Sequence, residues 1–347
     1  MSRRQRVVAF IAAIAVLIAL WILPVPFVAL NPGPTFNTIG SYNGQPLIKI
    51  TGTKTYPTSG TLSMTTVSES GGPYGFVSLG AAMKAWLDPS AAVVPTKTLY
   101  PDNVNSSQAI QEGTAAFTGS QNDAVAAAMN YLHIPVTNHV VVDAVVIGSP
   151  ADGVYKPGDE IIAVDGVPVS TSQEAITAIR KHKVGDNVTT TVVRDGKKMD
   201  LTTTTRALGP SHPHTPSVGL SISDVVEPPF TITFSLSDVG GPSAGTMFAL
   251  GIIDQLTPEM INAGKNVAGT GTIDAQGNVG AIGGVVQKIA GAARDGAKLF
   301  VLPASNCPDL TRVPGGIVAT PVNTLSQAVN VIKKWAAGGT VPRCPKQ

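Results

Sequence analysis

The chain has 347 residues, of which 43% are hydrophobic and 13% are charged, and its formal net charge is +2. A chain of this length buries a sizeable core and is expected to form two or three domains. Its near-neutral charge, without a basic stripe or run, argues against nucleic acid as a partner. The small share of charged residues and the many Gly, Ala, Thr and Val residues are typical of a β-rich protein with tight turns, not of a disordered chain.

The N-terminal segment predicts a membrane anchor. A cluster of arginines at positions 3, 4 and 6 precedes an uncharged apolar run that starts at Val7 and continues to Leu30, long enough to span hydrocarbon. The arginines predict that residues 1–6 are a cytoplasmic stub, that 7–30 form a single transmembrane helix in the cell membrane, and that all later residues are extracytoplasmic. A cleaved signal peptide is the alternative, although the run is long for one and no small-x-small site follows it cleanly.

Residues 31–135 are expected to form an extracytoplasmic N-terminal region that begins with two short strands around a turn. A short helix, an irregular loop and an Ala-rich helix are expected to complete this region, in that order. The predicted elements are strands over Leu47–Ile50 and Gly60–Val67, a helix over Gly80–Leu87, an irregular loop over Leu99–Ser107 and a helix over 120–132.

Residues 136–208 alternate short strands with polar turns. A buried strand over Val140–Val146 is followed by the motif Gly148-Ser149-Pro150-Ala151-Asp152-Gly153, and this motif leads to Pro157-Gly158-Asp159 and the strand Glu160–Val164. This order resembles a PDZ domain of the bacterial type. The resemblance implies a β-rich, small, partly open barrel that binds an extended peptide as an added strand. Residues 209–218 are predicted to be a linker.

The four residues before this region have two interpretations. Tyr131-Leu132-His133-Ile134 resembles the PDZ loop that receives a terminal carboxylate, with His133 in the place usually taken by glycine. The same four residues also suit the end of a helix, and the sequence does not decide between the two.

A serine follows a glycine-rich turn in Gly240-Gly241-Pro242-Ser243-Ala244-Gly245. A predicted strand over Phe230–Leu236 leads into this turn, and an apolar helix over Met247–Ile253 follows it. Backbone amides at a helix N-terminus have no partner within the helix, and the helix dipole favours negative charge there. The position therefore suits a nucleophile and an oxyanion, whereas a plain N-cap serine is the alternative.

A lysine lies in the first turn of a second predicted helix, after Gly283-Gly284. The helical neighbours of Lys288 are Val285, Gly291 and Ala292, which are small or apolar. Such surroundings remove water from an ammonium group and lower its pKa, as a general base requires. The pattern predicts that Lys288 takes the proton of Ser243.

These two motifs, with the segment Ala268–Asp274 between them, resemble the Lon peptidase family. The resemblance implies a Lon-type proteolytic domain over 219–347, with Ser243 and Lys288 as a catalytic dyad and the Thr270 hydroxyl orienting the lysine. The position three before the serine, commonly acidic in that family, is Gly240 here, and Asp238 is the candidate substitute. The strands predicted within 31–135 also resemble the start of this domain, which implies a PDZ insertion.

The remaining side chains indicate no metal or cofactor. Cys307 and Cys344 lack a CxxC or Cys/His neighbourhood and are expected to form a disulfide. His212 and His214 stand between prolines without a third ligand, which is typical of a solvated linker. The sequence has no HExxH, which argues against a zinc peptidase, and no GxxxxGK[ST] motif for ATP.

The predicted fold class is therefore α+β, with a Lon-type proteolytic domain, a PDZ domain and one N-terminal transmembrane helix. The predicted function is that of an ATP-independent, membrane-anchored serine endopeptidase that cleaves extracytoplasmic proteins or peptides, while its PDZ domain recognises substrate or gates activity. A catalytically inactive scaffold that binds the tails of membrane or secreted proteins is the alternative. The resemblance also implies a ring-shaped homo-oligomer.

Overall fold

The computed structural model describes residues 3–100, 105–237 and 239–344. The chain forms two compact units. Unit 1 consists of residues 1–133 and 231–347, and unit 2 consists of residues 134–230. Unit 2 is therefore inserted into the chain of unit 1.

The N-terminal segment differs from the predicted span. Helix α1 covers Arg3–Ile22, and strands β1, Pro24–Val25, and β2, Phe27–Asn37, follow it. The interpretation of 7–30 as one transmembrane helix is wrong beyond Ile22, because Pro24 and Pro26 cannot continue the hydrogen bonding of a helix and β2 belongs to the central sheet. Within the described residues, no helix combines the length and the apolar character that a membrane span requires.

The rest of the first segment of unit 1 carries six strands and three helices. Strand β6 is the longest of these strands and lies inside the central sheet. A short 3₁₀ turn, Gly72–Tyr74, follows it. The elements are β3 Ser41–Tyr42, β4 Gln45–Pro46, β5 Ile48–Thr51, β6 Thr61–Gly71, β7 Val77–Ser78, α2 Leu79–Leu87, β8 Ala92–Pro95, α3 Thr96–Leu99 and α4 Ser106–Leu132.

Helix α4 is much longer than the helix predicted over 120–132. Asn105 and Gln108 form a capping box, in which each side chain accepts a hydrogen bond from the backbone of the other, and this fixes the start of the helix. The loop predicted over Leu99–Ser107 is therefore helical at its end, and residues 101–104 of it lie outside the described residues.

The structure favours the helix-end interpretation of the four residues proposed as a carboxylate-binding loop. Tyr131 and Leu132 lie in the last turn of α4, and His133 caps it in the left-handed conformation, with φ 55°. These three residues belong to unit 1, and Ile134 is the first residue of unit 2.

Unit 2 is a β-rich domain in which five strands pair in the order β13-β12-β10-β9-β16 and β11 pairs with β10. Its helix packs on β9, β10 and β16. Strands β16 and β13 are the two edge strands, because among the described strands β16 pairs only with β9 and β13 only with β12. The elements are β9 Thr137–Val145, β10 Glu160–Val164, β11 Val167–Pro168, α5 Ser172–Ile179, β12 Asn187–Arg194, β13 Lys197–Thr204, β14 Arg206–Gly209, β15 His212–Ser217 and β16 Leu220–Glu227.

The linker predicted over 209–218 is instead part of a hairpin, formed by β14 and β15. Pro213 and Pro216 are compatible with this arrangement because a two-stranded ribbon leaves one edge of each strand unpaired. The unit also extends beyond the predicted boundary at residue 208, since β16 pairs with β9 along its whole length.

The second segment of unit 1 completes the central sheet, whose strand order is β22-β21-β18-β6-β2-β8. Strand β18 runs parallel to both β6 and β21, whereas β2 is antiparallel to β6. A short 3₁₀ turn covers Ala304–Asn306. The elements are β17 Thr231–Phe234, α6 Gly245–Leu256, β18 Asn266–Gly269, β19 Thr272–Ile273, β20 Val279–Gly280, α7 Val285–Arg294, β21 Leu299–Pro303, β22 Val318–Val322 and α8 Leu325–Ala336.

Helix α6 forms the centre of the unit 1 core. Its residues from Gly245 to Asp254 are all buried, as its apolar composition predicts. The Phe248 ring packs edge-to-face against Phe117 of α4, at 5.6 Å, and against Phe234 of β17, at 5.1 Å. A disulfide joins Cys307 to Cys344, with their Cα atoms 5.3 Å apart, and holds the C-terminal tail against this unit.

Candidate active site

The loop that carries Ser243 lies between β17 and α6 and is held from two sides. On one side, the Gly241 amide donates to the Gly113 carbonyl of α4 at 2.8 Å. On the other, the Ser243 carbonyl accepts hydrogen bonds from the Gly271 amide at 2.9 Å and from Thr270 Oγ1 at 3.0 Å. Gly241 has φ 88°, a left-handed conformation that only glycine adopts without strain. These bonds fix the serine at the start of α6.

Lys288 lies in the first turns of α7 with its ammonium nitrogen 2.7 Å from Ser243 Oγ. Gly284 starts the helix in the left-handed conformation, and an added side-chain carbon there would clash with Val67 of β6. Only 4% of Lys288 is exposed. Burial lowers the pKa of this lysine from 10.5 to about 8, so that roughly a tenth of it is neutral at pH 7.

Thr270 joins the two proposed catalytic residues. It follows β18 directly, is fully buried, and donates its amide hydrogen to the Val301 carbonyl of β21. Its hydroxyl lies 3.2 Å from Lys288 Nζ and donates to the Ser243 carbonyl. The hydroxyl therefore contacts both the Lys288 ammonium and the backbone of Ser243.

Gly240, the position where the sequence departs from the Lon pattern, packs directly on α4. A side-chain carbon added to Gly240 would lie 3.3 Å from the Gly113 Cα atom, closer than ordinary van der Waals contact. The close approach of the two backbones favours a glycine here, because any side chain would push α4 away by a few tenths of an ångström. The candidate substitute, Asp238, lies outside the described residues.

Ser243 and Lys288 open into a cleft of 590 Å³. One wall is β6, the opposite wall is the serine loop, and α7 supplies the floor beside the lysine. Strand β18 pairs with β6 only as far as Met64. Beyond Met64, β6 pairs with β2 on one side, and among the described strands none pairs with its other side. The lining residues are Leu30, Pro34, Phe36, Met64, Thr65, Thr66, Val67, Ser68, Glu69, Leu99, Val239, Gly240, Gly241, Pro242, Ser243, Ala244, Gly283, Gly284 and Lys288.

Sequence reasoning missed two parts of this site. Gly113 supports the serine loop, and the only sequence signal for it is a glycine within an otherwise helical run. Glu69, which lines the cleft, and Tyr100, which donates a hydrogen bond to it, carry no motif at all. Their contact joins residues 31 positions apart, which the pattern of either segment alone does not indicate.

Comparisons with known proteins agree with this geometry. A family model of the PDZ domain matches residues 121–205, and a model of the Lon protease (S16) C-terminal proteolytic domain matches residues 238–335. The chain is 38% identical over 93 residues to a Lon protease of Neorickettsia sennetsu, a match that covers 26% of this chain and 11% of that protein. It is 45% identical over 74 residues to a Lon protease of Roseiflexus castenholzii, covering 21% of this chain and 9% of that protein.

An archaeal Lon protease of Methanocaldococcus jannaschii is 39% identical over 98 residues, which cover 28% of this chain and 15% of that protein. The chain thus matches only a small part of the length of these relatives. A solved PDZ domain of an SdrC-like protein from Listeria monocytogenes is 31% identical and covers 24% of this chain and 85% of that domain, with a TM-score of 0.23. The family matches confirm the two predicted domain types, a PDZ domain and a Lon-type proteolytic domain.

Proposed function

We propose that this chain is a serine endopeptidase in which Ser243 is the nucleophile and Lys288 is the general base. The observation that carries the proposal is the 2.7 Å distance between Lys288 Nζ and Ser243 Oγ, in a place where burial lowers the pKa of the lysine to about 8. A neutral amine at hydrogen-bond distance from a serine hydroxyl is the arrangement that activates this weak nucleophile.

In the proposed reaction, Lys288 takes the proton of the serine hydroxyl as Ser243 Oγ attacks a peptide carbonyl. The amides of Thr246 and Met247 at the start of α6 already donate to the Gly271 and Ala244 carbonyls. We therefore assign the stabilisation of the oxyanion to the N-terminal end of α6 beside Ser243, where the helix dipole favours negative charge. The Lys288 ammonium then returns the proton to the leaving amine, and an acyl group remains on Ser243. A water molecule, deprotonated by Lys288, hydrolyses that ester and regenerates the serine.

The cleft suits an extended polypeptide. Beyond Met64, β6 offers backbone groups on its open side, and a substrate strand added there would run between β6 and the serine loop. Because only an extended backbone fits this mode, we expect cleavage in exposed tails, loops or unfolded segments. The prediction that cleavage needs no ATP is tested by comparing rates with and without magnesium-ATP.

For unit 2 we propose peptide recognition at the edge strand β16. This edge faces α5, since the Asp224 carboxylate of β16 accepts hydrogen bonds from the Ser172 amide and hydroxyl at the start of α5. Gly219, immediately before β16, has φ 86° and shapes the turn that leads into the strand. An extended peptide adding to β16 is the mode by which PDZ domains bind.

The proposed location is extracytoplasmic, and the disulfide between Cys307 and Cys344 supports it, because such bonds persist in oxidising compartments. Fractionation of cells into cytoplasm, membrane and medium tests both the location and the membrane attachment predicted from the sequence. Recovery of the chain in the cytoplasmic fraction with both thiols free would contradict the proposed location.

The decisive experiment compares the unmodified chain with Ser243→Ala on a library of unstructured peptides, with cleavage products identified by mass spectrometry. We expect the variant to lose at least about a thousandfold in rate while keeping its melting temperature. Ser326→Ala, which removes an exposed hydroxyl of α8, is the matched control and is expected to cleave normally. If the unmodified chain cuts no peptide but binds peptide tails, the scaffold alternative is correct.

A further inference from the structure

The cleft carries one acidic side chain among its described lining residues, and it stands apart from the dyad. Glu69 lies near the end of β6 and is exposed. Apart from Lys288, the other described lining residues are apolar or uncharged, including Leu30, Phe36 and Leu99. A negative charge in such a setting discriminates between substrates according to the charge they place beside it.

Tyr100 holds the Glu69 carboxylate in position. The tyrosine hydroxyl donates to Glu69 Oε2 at 2.5 Å, and its ring packs edge-to-face against Tyr74 with centroids 6.1 Å apart. Burial, followed by the contact with Glu69, raises the pKa of Tyr100, so the hydroxyl remains a donor at all ordinary pH values. The bond occupies one of the two carboxylate oxygens.

The position of Glu69 relative to the dyad follows from the register of the sheet. Thr65 Oγ1 donates to the carbonyl of Gly269 at 3.1 Å. Gly269 immediately precedes Thr270, whose hydroxyl contacts Lys288, so Thr65 marks the position on β6 that lies beside Lys288. Glu69 is four residues further along β6, which corresponds to roughly 13 Å in an extended strand. A substrate strand paired with β6 would place a side chain about three to five residues from its scissile bond beside this carboxylate.

We propose that Glu69 is a specificity-determining residue that selects a lysine or arginine side chain at one substrate position, about three to five residues from the scissile bond. The inference rests on the proposed peptidase function. Glu69 touches neither the reacting serine nor the lysine, so its charge acts on substrate choice and not on the chemical step.

The expected effect is modest because Glu69 is exposed and its ion pair with substrate is screened by water and salt. A basic residue at the selected position is expected to raise kcat/KM about two- to fivefold over a neutral residue of similar size. The preference should shrink when the salt concentration rises from 20 mM to 500 mM, where a purely steric preference would persist.

The experiment uses a positional peptide library in which lysine, norleucine and glutamate replace each other at every position on both sides of the cleavage site. Glu69→Gln keeps an acceptor for Tyr100 and removes the charge, so we expect the ratio of kcat/KM for lysine peptides over norleucine peptides to fall to about one. Glu69→Lys should prefer glutamate at the same position. The matched control is Glu259→Gln, an equal change of charge at an exposed residue outside the cleft.

The outcomes separate this inference from the function on which it rests. Cleavage by the unmodified chain without any charge preference, or a lysine preference that Glu69→Gln retains, overturns the role of Glu69 alone. Absence of all cleavage overturns the proposed function and this inference together.

Discussion

Replacing Lys288 by methionine should abolish activity and stabilise the protein at the same time. The unfolded chain holds this lysine at a pKa of 10.5 and the folded protein at about 8. At about 1.4 kcal/mol per pKa unit, burying the ammonium costs roughly 3 kcal/mol below pH 8. Methionine avoids that cost but loses the contacts with Ser243 and Thr270, worth about 1 kcal/mol each. We expect the free energy of unfolding to rise by about 1 kcal/mol at pH 7.

The pH dependence gives the sharper test. Between pH 8 and 10.5 the unfolded chain binds more protons than the folded one at this lysine, so the stability of the unmodified protein rises with pH across that window. The advantage of Lys288→Met should therefore shrink and then reverse by pH 10.5. Urea unfolding at four pH values from 6.5 to 10.5 measures this, with Lys298→Met as the matched control at an exposed lysine. Parallel stability curves for Lys288→Met and the unmodified protein would refute the reasoning.

Three further predictions concern the surroundings of the dyad. Thr270→Val removes the hydroxyl that orients Lys288 and should lower kcat about ten- to a hundredfold, whereas Thr270→Ser should restore most of it. If valine is as active as serine in steady-state assays, the hydroxyl has no orienting role. Gly240→Ala should cost about 1–3 kcal/mol through its contact with Gly113, measured by thermal unfolding, and an unchanged melting temperature would contradict that contact. Cys344→Ser should lower stability by about 2–4 kcal/mol under oxidising conditions and by nothing in reductant, where the unmodified protein should melt at the same temperature as the variant.

Local sequence patterns predicted the helices whose positions depend on nearby residues, such as an apolar run or a glycine at a helix start. The apolar run after Ser243 forms the buried helix α6, as its composition predicts, and the lysine after the double glycine lies 2.7 Å from the serine. The errors arose where tertiary pairing overrides local signals. Pro24 and Pro26 end the apolar helix, but only the pairing of β2 with β8, in which Phe27 lies opposite Pro95, shows that Phe27 begins a strand of the central sheet.

The extent of unit 2 illustrates the same limit. A segment rich in proline and histidine reads as a solvated linker, yet the turn at Gly209-Pro210-Ser211 lets β14 and β15 pair. Strand β16 belongs to unit 2 because of its register with β9, a strand about 80 residues earlier in the sequence. Neither pairing leaves a trace in the composition of the segments themselves.

The insertion of unit 2 has a mechanical consequence. Its N-terminal junction follows α4, the helix whose Gly113 carbonyl holds the Gly241 amide, and its C-terminal junction leads through β17 into the loop of Ser243. Both covalent tethers of the inserted unit therefore lead to segments that hold the loop of Ser243. A tension applied to the C-terminal tether reaches the loop of Ser243 only through β17, so the pairing of β17 with β5 resists it first.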